Sequence, residues 1–253
     1  MSVALVSTWQ PRGELSRFQR LHPLLTRLFS TIVLAMPPDA EDIAGMVRQM
    51  PNVRASTDGE WRMGRHTALR LGLETDATHL LYSDFDRALR WVELHPDELA
   101  MTLKRLDNCE CLVIGRTERA FATHPRCLRE TEQVINEVFA HVTGLPFDIC
   151  VAARGLSRSA AARILTDSRV ESSLGVDGEW LYLLHRAGYP LDYTQVEGMD
   201  WETVDQYLPA AADSETQRRA AEEYDKSPQH WSQRVFVMQH IIRALLAADG
   251  GTK

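Results

Sequence analysis

The feature that most constrains this chain is a change of hydrophobic period repeated over about its first 120 residues, where short β-rich runs alternate with helical patterns. Val3-Ala-Leu-Val-Ser-Thr8, Thr31-Ile-Val-Leu-Ala-Met36, His79-Leu-Leu-Tyr82 and Cys111-Leu-Val-Ile114 read as buried strands, and residues 52–56 as a weaker one. Between them, residues 15–29, 39–50, 64–74 and 96–105 are helical in pattern, with Asp39 or Asp42 able to cap the second. Strands separated by helices of this length need crossover connections, so the expected fold is α/β, a mainly parallel sheet flanked by helices. Ligands of such open sheets bind beyond the carboxyl ends of the strands. Residues 8–12, 37–39, 83–86 and 115–119 are therefore expected to share one rim.

Beyond residue 120 the character changes. A helix is expected over 130–142, with Val134, Ile135, Val138 and Phe139 on one side, then an edge strand over 148–153 and a helix from Ser157. A compact helix follows over 178–187, with Asp177 as its N-cap and Gly188 as its stop, and residues 191–196 return to the sheet. Leu208-Pro-Ala-Ala-Ala-Asp-Ser214 reads as a linker into two helical patterns, 215–224 and 229–248, divided by Pro228. The second keeps Trp231, Val235, Met238, Ile242 and Leu245 three or four residues apart. Such a stripe docks on its own domain, or else serves a homodimer or a membrane surface. The expected division is one unit over 1–207 with a helical extension over 208–253.

Composition closes off several function classes. With 44% hydrophobic and 25% charged residues in 253, the chain has ordinary globular proportions and needs no metal or disulfide staple for its core. Lys and Arg number 28 against 35 Asp and Glu, a formal net charge of −7, which excludes a broad nucleic-acid surface but leaves room for a local phosphate pocket. Cys109, Cys111, Cys127 and Cys150 are too scattered for a secreted framework, and the Cys109-x-Cys111 pair lacks a second pair at zinc-ligand spacing. Met1 to Trp9 has neither a basic region nor a long apolar run, and no stretch approaches the roughly 20 apolar residues of a membrane span. A soluble, cytoplasmic chain is expected.

The tract richest in chemistry is His79-Leu-Leu-Tyr-Ser-Asp-Phe-Asp86. On an extended chain, carboxylates two residues apart point to one side, and at the end of a buried strand they repel one another unless a cation arrives. A hard divalent ion completed by diphosphate and water suits them. A haloacid-dehalogenase-type phosphatase also begins with strand-D-x-D, but Arg87-Ala88 replaces the Thr or Val expected after it.

Context adds to this. Gly64-Arg-His-Thr-Ala-Leu-Arg-Leu-Gly-Leu73 followed by the strand ending in Asp84-Phe-Asp86 resembles the family 2 nucleotide-sugar glycosyltransferases of the GT-A fold. Val113-Ile-Gly-Arg116 and Gly155-Leu-Ser-Arg158-Ser-Ala-Ala161 are similar to two further segments of that family. Val176-Asp-Gly-Glu-Trp-Leu-Tyr-Leu-Leu-His-Arg-Ala-Gly-Tyr-Pro-Leu191 resembles a segment of the polyprenyl-phosphate (dolichol-phosphate) sugar synthases. The matches cover residues 1–197 or so. Two turns depart from the family pattern, Trp9-Gln-Pro-Arg-Gly13 after the first strand and Met36-Pro-Pro-Asp39 after the second, so the nucleotide is not carried over.

The resemblance implies transfer of a hexosyl group from a UDP- or GDP-sugar to a hydroxyl or a small-molecule or lipid-phosphate acceptor, with Mg2+ or Mn2+, and it suggests inversion while leaving retention open. It makes Asp86 the direct metal ligand and Asp84 a ligand of metal or ribose. Asp177 becomes the acceptor-activating base, with Glu179 in reserve, and Asp200, with Glu197 beside it, the late metal ligand. Arg65, Arg116 and Arg119 are expected near phosphate, and Thr8, Trp9 and Arg12 near the nucleotide, Trp9 able to stack on a base. Two rivals remain: a sugar nucleotidyltransferase, and a non-catalytic nucleotide-sugar-binding protein on the same scaffold.

Overall fold

The structure is a computed structural model describing residues 2–250. In chain order it runs β1 (Val3–Thr8), α1 (Leu15–Leu28), β2 (Thr31–Ala35), α2 (Glu41–Val47), β3 (Val53–Ser56), α3 (Gly64–Leu73), β4 (His79–Ser83), α4 (Phe85–Leu94) and α5 (Pro96–Arg105). There follow β5 (Cys111–Arg116), α6 (Glu118–Ala122), α7 (Arg126–Thr143), β6 (Ala153–Ser157), α8 (Arg158–Asp167), α9 (Val176–Arg186), β7 (Leu191–Val196), α10 (Ser214–Asp225) and α11 (Pro228–Ala248).

The strands form one sheet in the order β3-β2-β1-β4-β6-β5-β7. β6 alone runs against its neighbours, pairing antiparallel with both β4 and β5. Because helices cover both faces, the central strands bury both of theirs. In β1, Val3 and Leu5 enter one core with Phe18 and Leu21, while Ala4 and Val6 enter the other with Ala68 and Leu69.

Side-chain caps set several helix starts: Ser157 accepts from the Ala160 amide at 3.1 Å, and Asp213 from the Thr216 amide at 2.7 Å. The expected caps at Asp39, Asp42 and Asp177 do not form. α2 follows a short 3-10 turn with Ala40 in the cap position, and α9 starts two residues earlier than read, with Gly175 there.

Two further readings are corrected. Residues 148–152 form no strand. The strand is Ala153–Ser157, and it lies inside the sheet rather than at its edge. Secondly, the D-x-D tract is not extended, because α4 begins at Phe85 and leaves Asp84 as the last extended residue. Phe85, Ala88, Leu89 and Val92 share a buried helical face, and burying it outweighs continuation of the strand.

The C-terminal segment is fastened to the sheet layers. Arg90 of α4 holds Asp200 and Asp205 and donates to the Ala212 carbonyl. α11 lies against α9, burying Ile241 and Leu245. A Cβ on Gly178 would stand 3.1 Å from the Ile241 carbonyl oxygen and from Leu245 Cβ, so glycine allows the two helices to meet closely. Among the described residues, no helix is long and apolar enough to cross a membrane.

Candidate active site

From β1 the chain builds outward through β2 and β3, and then returns to place β4 on the other side of β1. The carboxyl ends of β1 and β4 therefore flank the point where strand order reverses, the place where α/β sheets open a crevice. Thr8 and Asp84 meet there. Asp84 Oδ1 accepts from Thr8 Oγ1 at 3.1 Å and from the Tyr82 hydroxyl at 2.7 Å. Arg65, in the first turn of α3, donates to Asp84 Oδ2 at 3.0 Å and to Asp177 Oδ2 at 3.2 Å, tying the sheet edge to α9. Arg154 of β6 reaches the other Asp177 oxygen, also at 3.2 Å. The resulting cleft, about 410 Å3, is bordered by Thr8, Arg12, Trp61, Arg65, Asp84 and Asp86, and by residues 172–174.

The two carboxylates of D-x-D have opposite surroundings. Burial pushes Asp84 up, but Arg65, Arg87 and the Tyr82 and Thr8 hydroxyls outweigh it and hold the acid below its ordinary value. Asp86 is pushed up to about 7, first by burial and then by the negative charges of Glu202 and Asp84, with Arg87 opposing. Glu202 pairs with Arg87 at 3.2 Å through Oε1, while its Oε2 is buried without a hydrogen-bond partner among the described residues. Among those residues no cluster of three or more His, Cys, Asp or Glu is arranged for a metal. Asp86, which borders the cleft, and Glu202, whose charge is felt at Asp86 and whose Oε2 is orphaned, are the two acids that could hold a hard divalent cation with phosphate and water as its remaining ligands.

Of the residues expected from sequence, Thr8, Arg12, Arg65, Asp84, Asp86 and Asp177 are brought together. The Arg12 guanidinium is exposed at the mouth and, among the described residues, bonded only to Gln10. Trp9 borders the cleft but is 2% exposed, its ring packed on Phe18 and Phe85 with centroids 5.8 and 5.0 Å away; it is a core residue and offers no open face to a base.

The others are elsewhere. Arg116 is fully buried, paired with Asp148 and Glu132 at 2.8 Å each, and does not border the cleft. Arg119 is on the surface, paired with Glu197, which takes both from the expected site. Asp200 is buried in a bidentate pair with Arg90, at 2.6 and 2.9 Å, and both its oxygens are occupied. Glu179 accepts from Ser168 Oγ at 2.5 Å and from the Arg169 and Val170 amides at 2.7 and 3.1 Å; it holds a loop and does not face the cleft. In each case a nearby opposite charge or amide satisfies a side chain that sequence alone leaves free.

Sequence reading missed Tyr82, Glu202, Arg154 and Trp61. Tyr82 lies two residues before Asp84 and was legible only as a strand residue. Arg154 carried the one available signal, a charge in an otherwise small and apolar tract. Glu202 and Trp61 come from connecting segments without periodicity, and nothing local marks them.

A seven-stranded sheet with a single reversed strand, helices on both faces and a crevice at the β1–β4 edge is a GT-A arrangement. Solved structures that share it include two 3-phosphoglycerate-glycosylating synthases by name. Glucosyl-3-phosphoglycerate synthase from Mycobacterium tuberculosis, in complex with Mn2+, uridine diphosphate and phosphoglyceric acid, aligns with a TM-score of 0.60 at 13% identity, over 100% of this chain and 80% of that one. Mannosyl-3-phosphoglycerate synthase from Rubrobacter xylanophilus aligns with a TM-score of 0.56 at 14% identity, over 100% and 76%. At such identities the likeness is one of fold. No family profile matches the chain, and no curated protein matches it.

Proposed function

We propose that this protein is a metal-dependent glycosyltransferase that moves a hexosyl group from a nucleoside-diphosphate sugar to a hydroxyl or phosphate acceptor. The observation that carries the reading is the meeting of Thr8, Arg65, Asp84 and Asp86 around one cleft at the switch point of a GT-A sheet, with Asp177 held directly behind Arg65 at 3.2 Å. Solved structures of that fold hold Mn2+ and uridine diphosphate, which favours a UDP-sugar over a GDP-sugar as donor.

In this reading Asp86 and Glu202 hold a Mg2+ or Mn2+ ion, which neutralises the departing diphosphate when bound. Arg12, free at the mouth, contacts the donor phosphates, and Trp61, half-buried at the rim, packs on the nucleotide. Asp84 stays ionised and orients Arg65. The donor diphosphate competes with Asp177 for Arg65, and drawing the guanidinium away frees one Asp177 oxygen to accept the acceptor's proton. A single displacement, in which the acceptor oxygen bonds to the anomeric carbon, the diphosphate leaves and the proton passes to Asp177, inverts the anomeric carbon.

One observation favours the non-catalytic rival: both Asp177 oxygens already face arginines, Arg65 and Arg154. Calorimetry with UDP and GDP, with and without Mn2+, followed by a donor-hydrolysis screen, separates the two. The expected result is Mn2+-dependent UDP binding, weakened at least about tenfold by Asp86→Ala, and Mn2+-dependent hydrolysis lost in Asp177→Asn. Binding without turnover of any donor supports the rival. Absence of nucleotide binding, with Asp86→Ala indistinguishable from the native chain, overturns the proposal.

A further inference from the structure

Among the described residues, Asn52, Ala152 and Tyr207 hold a left-handed backbone without being glycine. Asn tolerates that conformation and Ala152 is buried, but Tyr207 is bulky and 73% exposed. The Leu208 amide donates to the Asp205 carbonyl at 2.9 Å across Gln206 (φ −54°, ψ 130°) and Tyr207 (φ 67°), the geometry of a type II β-turn. The third position of such a turn favours glycine, because a Cβ is crowded there. A tyrosine in that place is strained and, in solvent, gains little burial in return. Strain of this kind persists where the surrounding structure over-determines it, and it gathers at functional sites.

The anchoring is visible on both sides of the turn. Asp205, 1% exposed, pairs with Arg17 of α1 at 2.9 Å and accepts from Arg90 of α4 at 2.7 Å and from the Ala212 amide at 2.9 Å. Further along, Arg20 of α1 donates to the Pro209 carbonyl at 3.1 Å, and the Ala211 amide to Glu93 of α4 at 3.2 Å. Residues 205–212 are thus strapped onto two helices by charged side chains.

The strap presses on the loop that follows β1. The Tyr207 amide donates to the Arg12 carbonyl at 3.0 Å, and a Cβ on Gly13 (φ 95°) would stand 3.0 Å from both Cα and Cδ1 of Tyr207. Arg12 is held from its other side by Glu14, which accepts from the Arg12 amide at 2.5 Å. Gln206, next to Tyr207, borders the cleft together with Gln10, Arg12 and Glu14. Residues 9–14 have no helix or strand of their own before α1, so these contacts are what order them. We propose that Tyr207 is a positioning residue of the candidate active site: its turn clamps the Arg12–Gly13 turn and so presets the Arg12 guanidinium at the cleft mouth. A preset arginine binds phosphate without first having to order its loop. This role rests on the reading of the cleft as a nucleoside-diphosphate site with Arg12 at the phosphates.

The test is calorimetry of the full chain with UDP and Mn2+, with thermal melting measured in parallel. Glycine suits the left-handed position, so Tyr207→Gly should melt at or above the native Tm. Loss of the ring over Gly13 should nevertheless weaken UDP by at least about fivefold. A merely structural tyrosine would lower Tm and leave the affinity of the folded chain alone. Tyr207→Phe, which keeps ring and backbone, should restore native affinity. In an Arg12→Ala chain the carbonyl still meets the Tyr207 amide, but the guanidinium is gone. There Tyr207→Gly should change UDP affinity by less than about twofold, because its effect passes through Arg12. Gly13→Ala, which wedges the two turns apart, should weaken UDP with the same dependence on Arg12. The role is overturned if Tyr207→Gly binds UDP like the native chain, or if it weakens binding equally with and without the Arg12 side chain. A native chain that binds neither UDP nor GDP overturns the donor-site reading and this role together, so the native titration tells the two failures apart.

Discussion

Replacing Arg116 by Met distinguishes a structural arginine from a phosphate-binding one. The native guanidinium is fully buried and lies 4.5 Å from the centre of the Phe121 ring. It gives two hydrogen bonds to Asp148 at 2.8 Å and a third contact to Glu132 at 2.8 Å. Met fills a similar volume without the charge. Asp148 then keeps only Asn136 and the residue-116 amide, and Glu132 keeps Arg234. Breaking a buried pair from one side costs about 3–5 kcal/mol, because a carboxylate remains desolvated without its counter-charge. For a domain of this size each kcal/mol lowers Tm by about 2–4 °C, so the expected drop is roughly 6–20 °C. Arg116→Met/Glu132→Gln should recover part of it, since removing both partners is milder than removing one. Titration of UDP with Mn2+ below the transition should give a dissociation constant within about twofold of native, as Arg116 does not border the cleft. An unchanged Tm together with a tenfold or greater loss of UDP affinity would refute this reasoning.

Three other perturbations probe the same separation of framework from site. Asp200→Asn should lower Tm through loss of the buried Arg90 pair, by about 3–5 kcal/mol of stability, yet leave the Mn2+ dependence of nucleotide binding unaltered. A changed Mn2+ dependence at native Tm would restore Asp200 as a metal ligand. Gly198→Ala should destabilise by about 1–3 kcal/mol or more, because its Cβ would stand 1.8 Å from Cδ1 of the buried Trp91; unchanged urea unfolding would contradict that packing. Burial, then Arg65, pushes His66 down to about 4 from an ordinary 6.5. The unfolded chain therefore takes up this proton first, and stability present above pH 6.5 is lost as pH falls towards 4. The loss is about 1–2 kcal/mol once the ring's partial exposure is allowed for. His66→Gln should flatten the pH dependence of stability across that window, and an unchanged slope would remove His66 as its cause.

Much of the fold was legible because its causes are local. Alternating hydrophobic periods mark β1 to β5 and the helices α1, α2, α3 and α5 within a few residues, though not α4, and crossover lengths make the sheet mainly parallel. β6 escaped for a physical reason: Ala153-Arg-Gly-Leu-Ser157 has no strand-like composition. It becomes a strand because β4 and β5 supply hydrogen bonds on both sides, and because Gly155 leaves room for Leu106, whose Cδ2 would lie 2.0 Å from a Cβ there.

The sequence by itself determined the order of the first five strands, the mainly parallel sheet, and the loops that meet at its carboxyl edge, since these follow from periodicity and connection length. Within the candidate site it also named Thr8, Arg12, Arg65, Asp84, Asp86 and Asp177. Only the tertiary structure decided which charges remain available to a ligand. Arg65, in the first turn of α3, and Arg116, at the carboxyl end of β5, are the same residue type, but one borders a cleft and the other is closed in by Asp148 and Glu132. The partners that neutralise a buried charge come from distant parts of the chain, and the cost of leaving such a charge unpaired fixes its role only once the fold has brought them together.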